Sequence, residues 1–234
     1  MGNVIKLSER LSVIASFINE GASVADVGTD HGFLPVYLAQ SGMAKRIIAS
    51  DISAGSLGAA RRSAEKYGVT DKITFVTAPG LTGIGADDAD TIVIAGMGGG
   101  TIAGILYDAP WTGNRDVRLI LQPQTKVKEL CEWLRESGYI IRGAKLTRDN
   151  GRYYIVMLVK GGQSDSSLDP EIELLARLMH SGDPLFSGYM DELIERTQQA
   201  MEGMRKAAEP ELLSTALSMS VYIGLKEAFR ASYQ

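Results

Sequence analysis

Six residues with chemistry to offer, Asp26, Gly28, Thr29, Asp30, His31 and Gly32, follow the small and β-branched run Val24-Ala25 at once, with Val27 among them. Two carboxylates, a hydroxyl and an imidazole set between glycines suit a small polar or cationic ligand. Each glycine lets such a ligand approach the backbone where a Cβ would obstruct it. The run reads as a buried parallel strand, 24–27, entering a tight turn, then an apolar helix, 33–40, with Pro35 in its first turn, where a missing N–H costs little. Strand, glycine turn and helix N-terminus form the ligand cradle of an open α/β sheet.

The ligand is narrowed by what the turn lacks. A dinucleotide fingerprint needs G-x-G-x-x-G, whereas Gly28 is followed here by Thr29-Asp30-His31-Gly32. An acidic residue then stands where a pyrophosphate needs bare N–H groups. Asp51, closing the next apolar run 46–50, can accept hydrogen bonds from both hydroxyls of a ribose. A ribose without a pyrophosphate points to an adenosine-type cofactor such as S-adenosylmethionine, whose cationic sulfonium and ammonium suit Asp26 and Asp30. The alternative for Asp26 is a turn or helix cap.

A second informative stretch, Gly96-Met97-Gly98-Gly99-Gly100, follows a strand expected over 90–95. Enzymes that methylate the exocyclic amine of a base commonly place an Asn/Asp-Pro-Pro-aromatic element there. The glycine run offers backbone groups and open volume instead, which fits a ring nitrogen carrying its own lone pair. A flexible connection to the helix 101–107 is the competing reading.

The remaining elements must position these groups. Leu7, Leu11, Ile14 and Ile18 give one apolar stripe on a helix over 6–19. A small-residue helix is expected over 53–67, strands over 73–77 and 118–123, and an amphipathic helix over 125–137 with Val127, Leu130, Trp133 and Leu134 inward. Strands 139–146 and 152–159 face each other across Asp149-Asn150-Gly151, which is hairpin-turn chemistry. An antiparallel hairpin ending an otherwise parallel sheet distinguishes class I methyltransferases from dehydrogenases. The fold expected is therefore α/β, a Rossmann-like methyltransferase sheet, mostly parallel with an antiparallel last strand, carrying a C-terminal helical hairpin. Residues 161–167 read as a linker, and the expected domains are a cofactor-binding domain, 1–160, and a helical one, 161–234. Helices over 169–180, 184–208 and 211–232 would pair Leu193, Ile194, Met201 and Met204 with Leu213, Leu217, Tyr222, Leu225 and Phe229. His180 reads as a helix-end residue.

Composition sets the outer bounds. The 234 residues, 45% hydrophobic, contain no apolar run near the roughly 20 residues of a membrane span, and residues 1–10 show no signal-peptide core. One cysteine, Cys131, excludes an internal disulfide and thiolate metal sites, so a cytoplasmic protein without metal is expected. From Ser164 onward there are six Lys/Arg against twelve Asp/Glu, leaving eighteen against sixteen before it. The mildly basic first part is compatible with a nucleic-acid substrate without requiring one.

The combination of Ala25-Asp26-Val27-Gly28-Thr29-Asp30-His31-Gly32-Phe33-Leu34-Pro35, Ile94-Ala95-Gly96-Met97-Gly98-Gly99 and Leu119-Ile120-Leu121-Gln122-Pro123-Gln124 resembles the bacterial tRNA (adenine-N1)-methyltransferases that modify position 22 in the D-arm. The resemblance covers essentially the whole chain. It implies S-adenosylmethionine as methyl donor and tRNA as acceptor. It also implies Asp26, Gly28, Thr29, His31, Gly32, Asp51, Ile52, Pro79, Gly80, Leu81 and Ala95 as cofactor contacts, with Asp30, Gly96 and Met97 beside the reacting base. Two positions depart from the family pattern: Ala78-Pro79-Gly80-Leu81 stands where Gly-Asp-Gly-Leu is usual, and Tyr154 is followed by Ile155 rather than glutamate. Pro79 leaves only backbone contacts to the cofactor's adenine. The expected species is a monomer. Two other readings stay open, a methyltransferase of this fold acting on a protein or small molecule and a non-catalytic nucleotide-binding protein.

Overall fold

The computed structural model describes residues 4–114, 116–207 and 210–233. They form two compact units, residues 1–166 and residues 167–234.

The first unit is built on a seven-stranded sheet. In chain order its elements are α1 (Glu9–Ala15), β1 (Ala22–Val27), α2 (Phe33–Ser41), β2 (Ala44–Asp51), α3 (Ala54–Lys66), β3 (Thr74–Thr77), β4 (Thr91–Gly98), α4 (Gly99–Tyr107), β5 (Arg118–Thr125), α5 (Val127–Glu136), β6 (Tyr139–Asp149) and β7 (Arg152–Gly161). The strand order is β3-β2-β1-β4-β5-β7-β6. The strands β1 to β5 pair in parallel, and β7 runs antiparallel to both β5 and β6. The chain reverses its direction of growth between β1 and β4, so the crevice at their carboxyl ends is the expected ligand position of an open sheet. Val24, Ala25, Ile92, Val93, Ile94, Leu119, Ile120 and Leu121 are all fully buried, as strands covered on both faces require.

Several elements differ from the expectations. The first helix is shorter than 6–19, because the Ser8 side chain accepts from the Leu11 N–H at 3.3 Å and caps it, leaving Lys6 and Leu7 outside. The glycine run is not an open loop. Strand β4 continues to Gly98, pairing Met97 with Pro123 and Gly98 with Thr125 through two irregularities in register. A Cβ on Gly99 would collide with the Lys126 carbonyl, and one on Gly98 would sit 3.1 Å from the Thr125 hydroxyl, so these glycines pack β4 and α4 against the neighbouring chain. Gly161, expected in the linker, pairs with Tyr139 and belongs to the sheet. The hairpin turn is as expected: Asn150 and Gly151 both have positive φ, 49° and 80°, the left-handed pair of a two-residue type I′ turn.

The second unit holds α6 (Pro170–His180), α7 (Phe186–Ala207) and α8 (Leu212–Tyr233). Residue 208, the expected end of the middle helix, lies outside the described residues. Leu213 and Leu217 do not face α7; they are 72% and 62% exposed. The expected Tyr222 and Phe229 are buried and Leu225 is half-buried; with Leu212, Thr215, Met219 and Lys226, also half-buried, Tyr222 and Phe229 follow alternating steps of three and four, the seven-residue repeat of a helical pair. Within this unit the Tyr222 hydroxyl donates to the buried Glu171 carboxylate at 2.7 Å. Burial and that carboxylate push the Tyr222 phenol up, so it stays a donor. No helix among the described residues is long and apolar enough to cross a membrane. Replacing Tyr222 by Phe removes a charge-assisted bond and is expected to cost the helical unit about 1–2 kcal/mol, read as faster amide exchange across α6 and α8 with β1 to β7 unchanged.

Candidate functional site

The turn after β1 is built on its neighbour. The Ser50 carbonyl of β2 accepts from both Gly28 N (2.8 Å) and Thr29 N (3.0 Å), and Gly32 N closes back on the Thr29 carbonyl at 2.9 Å. Three conformational demands at alternate positions follow, with φ of 74° at Gly28, 51° at Asp30 and 68° at Gly32. Glycine meets two of them without a Cβ penalty, and Asp30 is among the few residue types that tolerate the left-handed region. A Cβ at Gly28 would collide with the Met97 methyl, and one at Gly32 would sit 2.8 Å from the Ala60 methyl. Met97 therefore lies against the Gly28 backbone rather than in open volume.

Asp26 is the penultimate residue of β1, with only 7% of its surface exposed. Its carboxylate accepts from the Thr29 hydroxyl at 2.7 Å. Burial is the largest influence on it and, with the Asp51 charge, outweighs that bond and the Arg10 guanidinium, holding its pKa at about 6 instead of 3.8. Asp51 at the end of β2 accepts from Ser53 N at 2.8 Å and Asp30 N at 3.3 Å, so it braces the turn from the other side. The Asp30 and His31 side chains are mostly exposed and lie 3.9 Å apart; His31 stacks on Phe33 with ring centres 5.6 Å apart.

The cleft over the ends of β1 and β4 has a volume of about 680 Å³. It brings together Asp26, Gly28, Thr29, Asp30, His31, Ala95 and Gly96 of the expected residues. Gly32, Asp51, Ile52, Pro79, Gly80, Leu81 and Met97 do not line it. Among these, Ile52 is exposed and Leu81 is a buried core residue at 6% exposure, leaving only its backbone for a ligand.

The cleft also contains groups with no role in ligand binding legible in the sequence: Lys6, Arg10, Phe33, Gln124 and Asp149. Arg10, on α1, donates to the Gln122 side-chain oxygen at 2.9 Å and lies 3.9 Å from the Asp149 carboxylate at the hairpin tip. The same Gln122 oxygen accepts Gly96 N at 3.1 Å, while its amide nitrogen donates to the Pro123 carbonyl at 2.8 Å. Gln122 is fully buried, so this amide fixes the irregularity of β4 at Gly96, where φ is 78°, and the guanidinium together. The one signal for it in the sequence is a glutamine interrupting Leu119-Ile120-Leu121 in a covered strand, since a buried amide must be satisfied. Arg10 and Asp149 carry no such signal, because only the fold brings a residue of the first helix to the last hairpin. Among the described residues no group of three His, Cys, Asp or Glu side chains could hold a metal ion.

A family model described as a methyltransferase domain matches residues 7–157. The tRNA (adenine(22)-N(1))-methyltransferase of Bacillus subtilis (strain 168) is 33% identical over 215 residues, covering 89% of this chain and 90% of the relative. The crystal structure of the B. subtilis m1A22 tRNA methyltransferase TrmK superposes with a TM-score of 0.81 at 30% identity, over 95% of this chain and 99% of that one. M. capricolum TrmK, solved with S-adenosyl-homocysteine, gives a TM-score of 0.78 at 25% identity over 94% and 98% of the two chains. With a matching domain model, a relative of this identity along nearly its full length and the same sheet and helices, the chain belongs to the bacterial tRNA (adenine(22)-N1)-methyltransferase family.

Proposed function

We propose that this protein transfers a methyl group from S-adenosyl-L-methionine to N1 of an adenine at position 22 in the D-arm of tRNA, acting as a cytoplasmic monomer. The observation that carries the reading is the pair of opposite charges in one cleft, the Asp26 carboxylate and the Arg10 guanidinium, over glycine-lined backbone at the carboxyl ends of β1 and β4. A ligand bearing an α-ammonium, an α-carboxylate and a sulfonium complements both charges, whereas a pyrophosphate would meet Asp26 and Asp30. The residues present therefore fit the cofactor. Asp26 would hold its ammonium end, Arg10 its carboxylate and Asp51 its ribose hydroxyls, with Gly28, Thr29, His31, Gly32 and Ala95 around them. Ile52, Pro79, Gly80 and Leu81 would flank its adenine. When bound, the cofactor supplies an electrophilic methyl group.

On the acceptor side the chain has mainly to position. N1 of adenine has its own in-plane lone pair, so alignment supplies much of the rate and no strong base is required. The methylated ring is cationic, and the Asp30 carboxylate at the cleft wall stabilises that charge. Gly96 gives the flat base room, since the nearest side-chain atoms to a Cβ there are an Arg10 nitrogen at 3.6 Å and a Gln124 nitrogen at 3.7 Å. Met97, folded over Gly28, backs the turn beneath. The N1 edge is the pairing edge, so the target base must be unpaired or flipped out. The helical unit that follows Ser166 is read as a separable arm that positions tRNA.

Five outcomes test this reading. Unmodified tRNA should yield N1-methyladenosine after digestion and isomer-resolving mass spectrometry; N6-methyladenosine or methylguanine would refute it. In calorimetric titration Asp51→Ala should weaken S-adenosylmethionine by roughly 1.5–3 kcal/mol, the scale of bonds to a charged group. Arg10→Ala should weaken S-adenosylmethionine about tenfold yet leave methylthioadenosine, which lacks the carboxylate, unchanged. Because the folded Asp26 pKa lies above 3.8, its contribution to folding stability is complete below that value and is lost as pH rises through about 6. A bound cation favours the ionised form, so cofactor affinity should rise with pH through about 6 and level off above it, and Asp26→Asn should flatten the curve. Truncation after Ser166 should leave cofactor binding intact and lower methyl transfer to tRNA sharply.

A further inference from the structure

The rim of the cleft carries Phe33, Lys6 and Arg152, to which the cofactor reading gives no role, and the open face of His31. Phe33, the first residue of α2, lines the cleft with 44% of its surface exposed, an unusual place for a large apolar ring. Its partner is His31, stacked at 5.6 Å with the rings 16° from parallel, and both side chains lie open to the cleft. Two flat rings held side by side at the mouth of a cleft offer a stacking platform, which accepts any base because every base has a π face.

Two cations belong to the same cleft or its edge. Lys6 lines the cleft and is exposed. Arg152, the first residue of β7, is exposed and stands directly opposite Asp149, itself a lining residue, across the two-residue turn. Its neighbour Arg148 is engaged, with its guanidinium 5.1 Å over the Tyr153 ring and its Nε donating to the Gly151 carbonyl. Among the described residues neither Lys6 nor Arg152 forms an ion pair. A free ammonium and a free guanidinium at the edge of a cleft that holds an exposed aromatic stack match the chemistry of a nucleotide, a planar base between phosphates.

We infer that this rim is the RNA-docking surface, with Phe33 and His31 taking an unpaired base of the target strand and Lys6 and Arg152 the phosphates on either side of it. The inference rests on the tRNA reading above and names the residues that grip the substrate. A second basic cluster gives an internal control. Lys45, Arg46 and Lys72 surround a separate hollow of about 400 Å³ beside the starts of β2 and β3, the end of those strands opposite the cleft.

The test measures binding of unmodified tRNA over a series of salt concentrations, with cofactor affinity and melting temperature recorded for each protein. Replacing Lys6 and Arg152 together by Ala should weaken tRNA about tenfold or more and make the log-affinity against log-salt slope shallower by roughly 1.4–1.8, the value for two lost phosphate contacts, with cofactor affinity unchanged. The Lys45→Ala, Lys72→Ala double variant removes the same charge and should leave both quantities near the parent values. Phe33→Ala should lower kcat/KM for tRNA about tenfold at unchanged cofactor affinity, and Phe33→Trp should restore it and report tRNA by fluorescence quenching. A Lys6/Arg152 variant with the parent slope, a control variant that loses as much, or a Phe33→Ala enzyme with parent kcat/KM would each overturn the inference. Failure of the parent protein to methylate any tRNA would instead refute the functional reading on which it rests.

Discussion

The desolvated carboxylate at the end of β1 is the constraint around which the first unit is arranged. Asp26 is taken out of water by strands on both sides, and it is kept in register by the Thr29 hydroxyl in the turn that follows. That turn exists only because Ser50 in β2 offers its carbonyl to two consecutive N–H groups, so the cradle is as much a product of the β1–β2 pairing as of its own glycines. A buried acid with a pKa near 6 is costly in the free protein and well matched to a cation. The fold in effect stores a preference for a positively charged ligand at the topological switch point.

The opposite wall depends on a second buried polar group. Gln122 serves three partners at once, Arg10, Gly96 and Pro123, and thereby couples α1, β4 and β5. The antiparallel pair β6–β7 contributes through its reach: β7 pairs with β5 only from Met157 to Val159, and the rest of the hairpin extends past that strand until Asp149 comes to Arg10. Because β7 is antiparallel to both neighbours, β6 runs in the direction of β5 and ends, at Asp149, at the same end of the sheet as β1 and β4. The topology that separates this fold from dehydrogenases is thus also what furnishes the rim.

The open volume read into the glycine run has a simple physical correction. Glycines occur both where a backbone must be approached by a ligand and where it must be approached by another backbone, and the sequence does not distinguish the two. Gly96 is the first kind; Gly98 and Gly99 are the second, pressed against Thr125, Lys126 and Leu130. A similar ambiguity displaced Leu213 and Leu217. Both are apolar and near the right spacing, yet the repeat that α8 presents to α7 starts one residue earlier, at Leu212. Apolar side chains at neighbouring positions leave the facing stripe undecided until a partner helix selects one.

What the sequence determined by itself was local. Short apolar, β-branched runs marked the strands, Asn150-Gly151 specified a type I′ turn, and the close spacing of Asp26, Asp30 and His31 between glycines defined the cradle and the charge of its ligand, because each of these depends on residues within a few positions of one another. Tertiary structure alone decided the rest. Arg10, Gln122 and Asp149 come from three distant segments, and it is the strand order β1-β4-β5-β7 that collects them over one cleft. The elevated pKa of Asp26 belongs to the same class, since desolvation is a property of everything packed around a carboxylate and of none of its sequence neighbours taken singly.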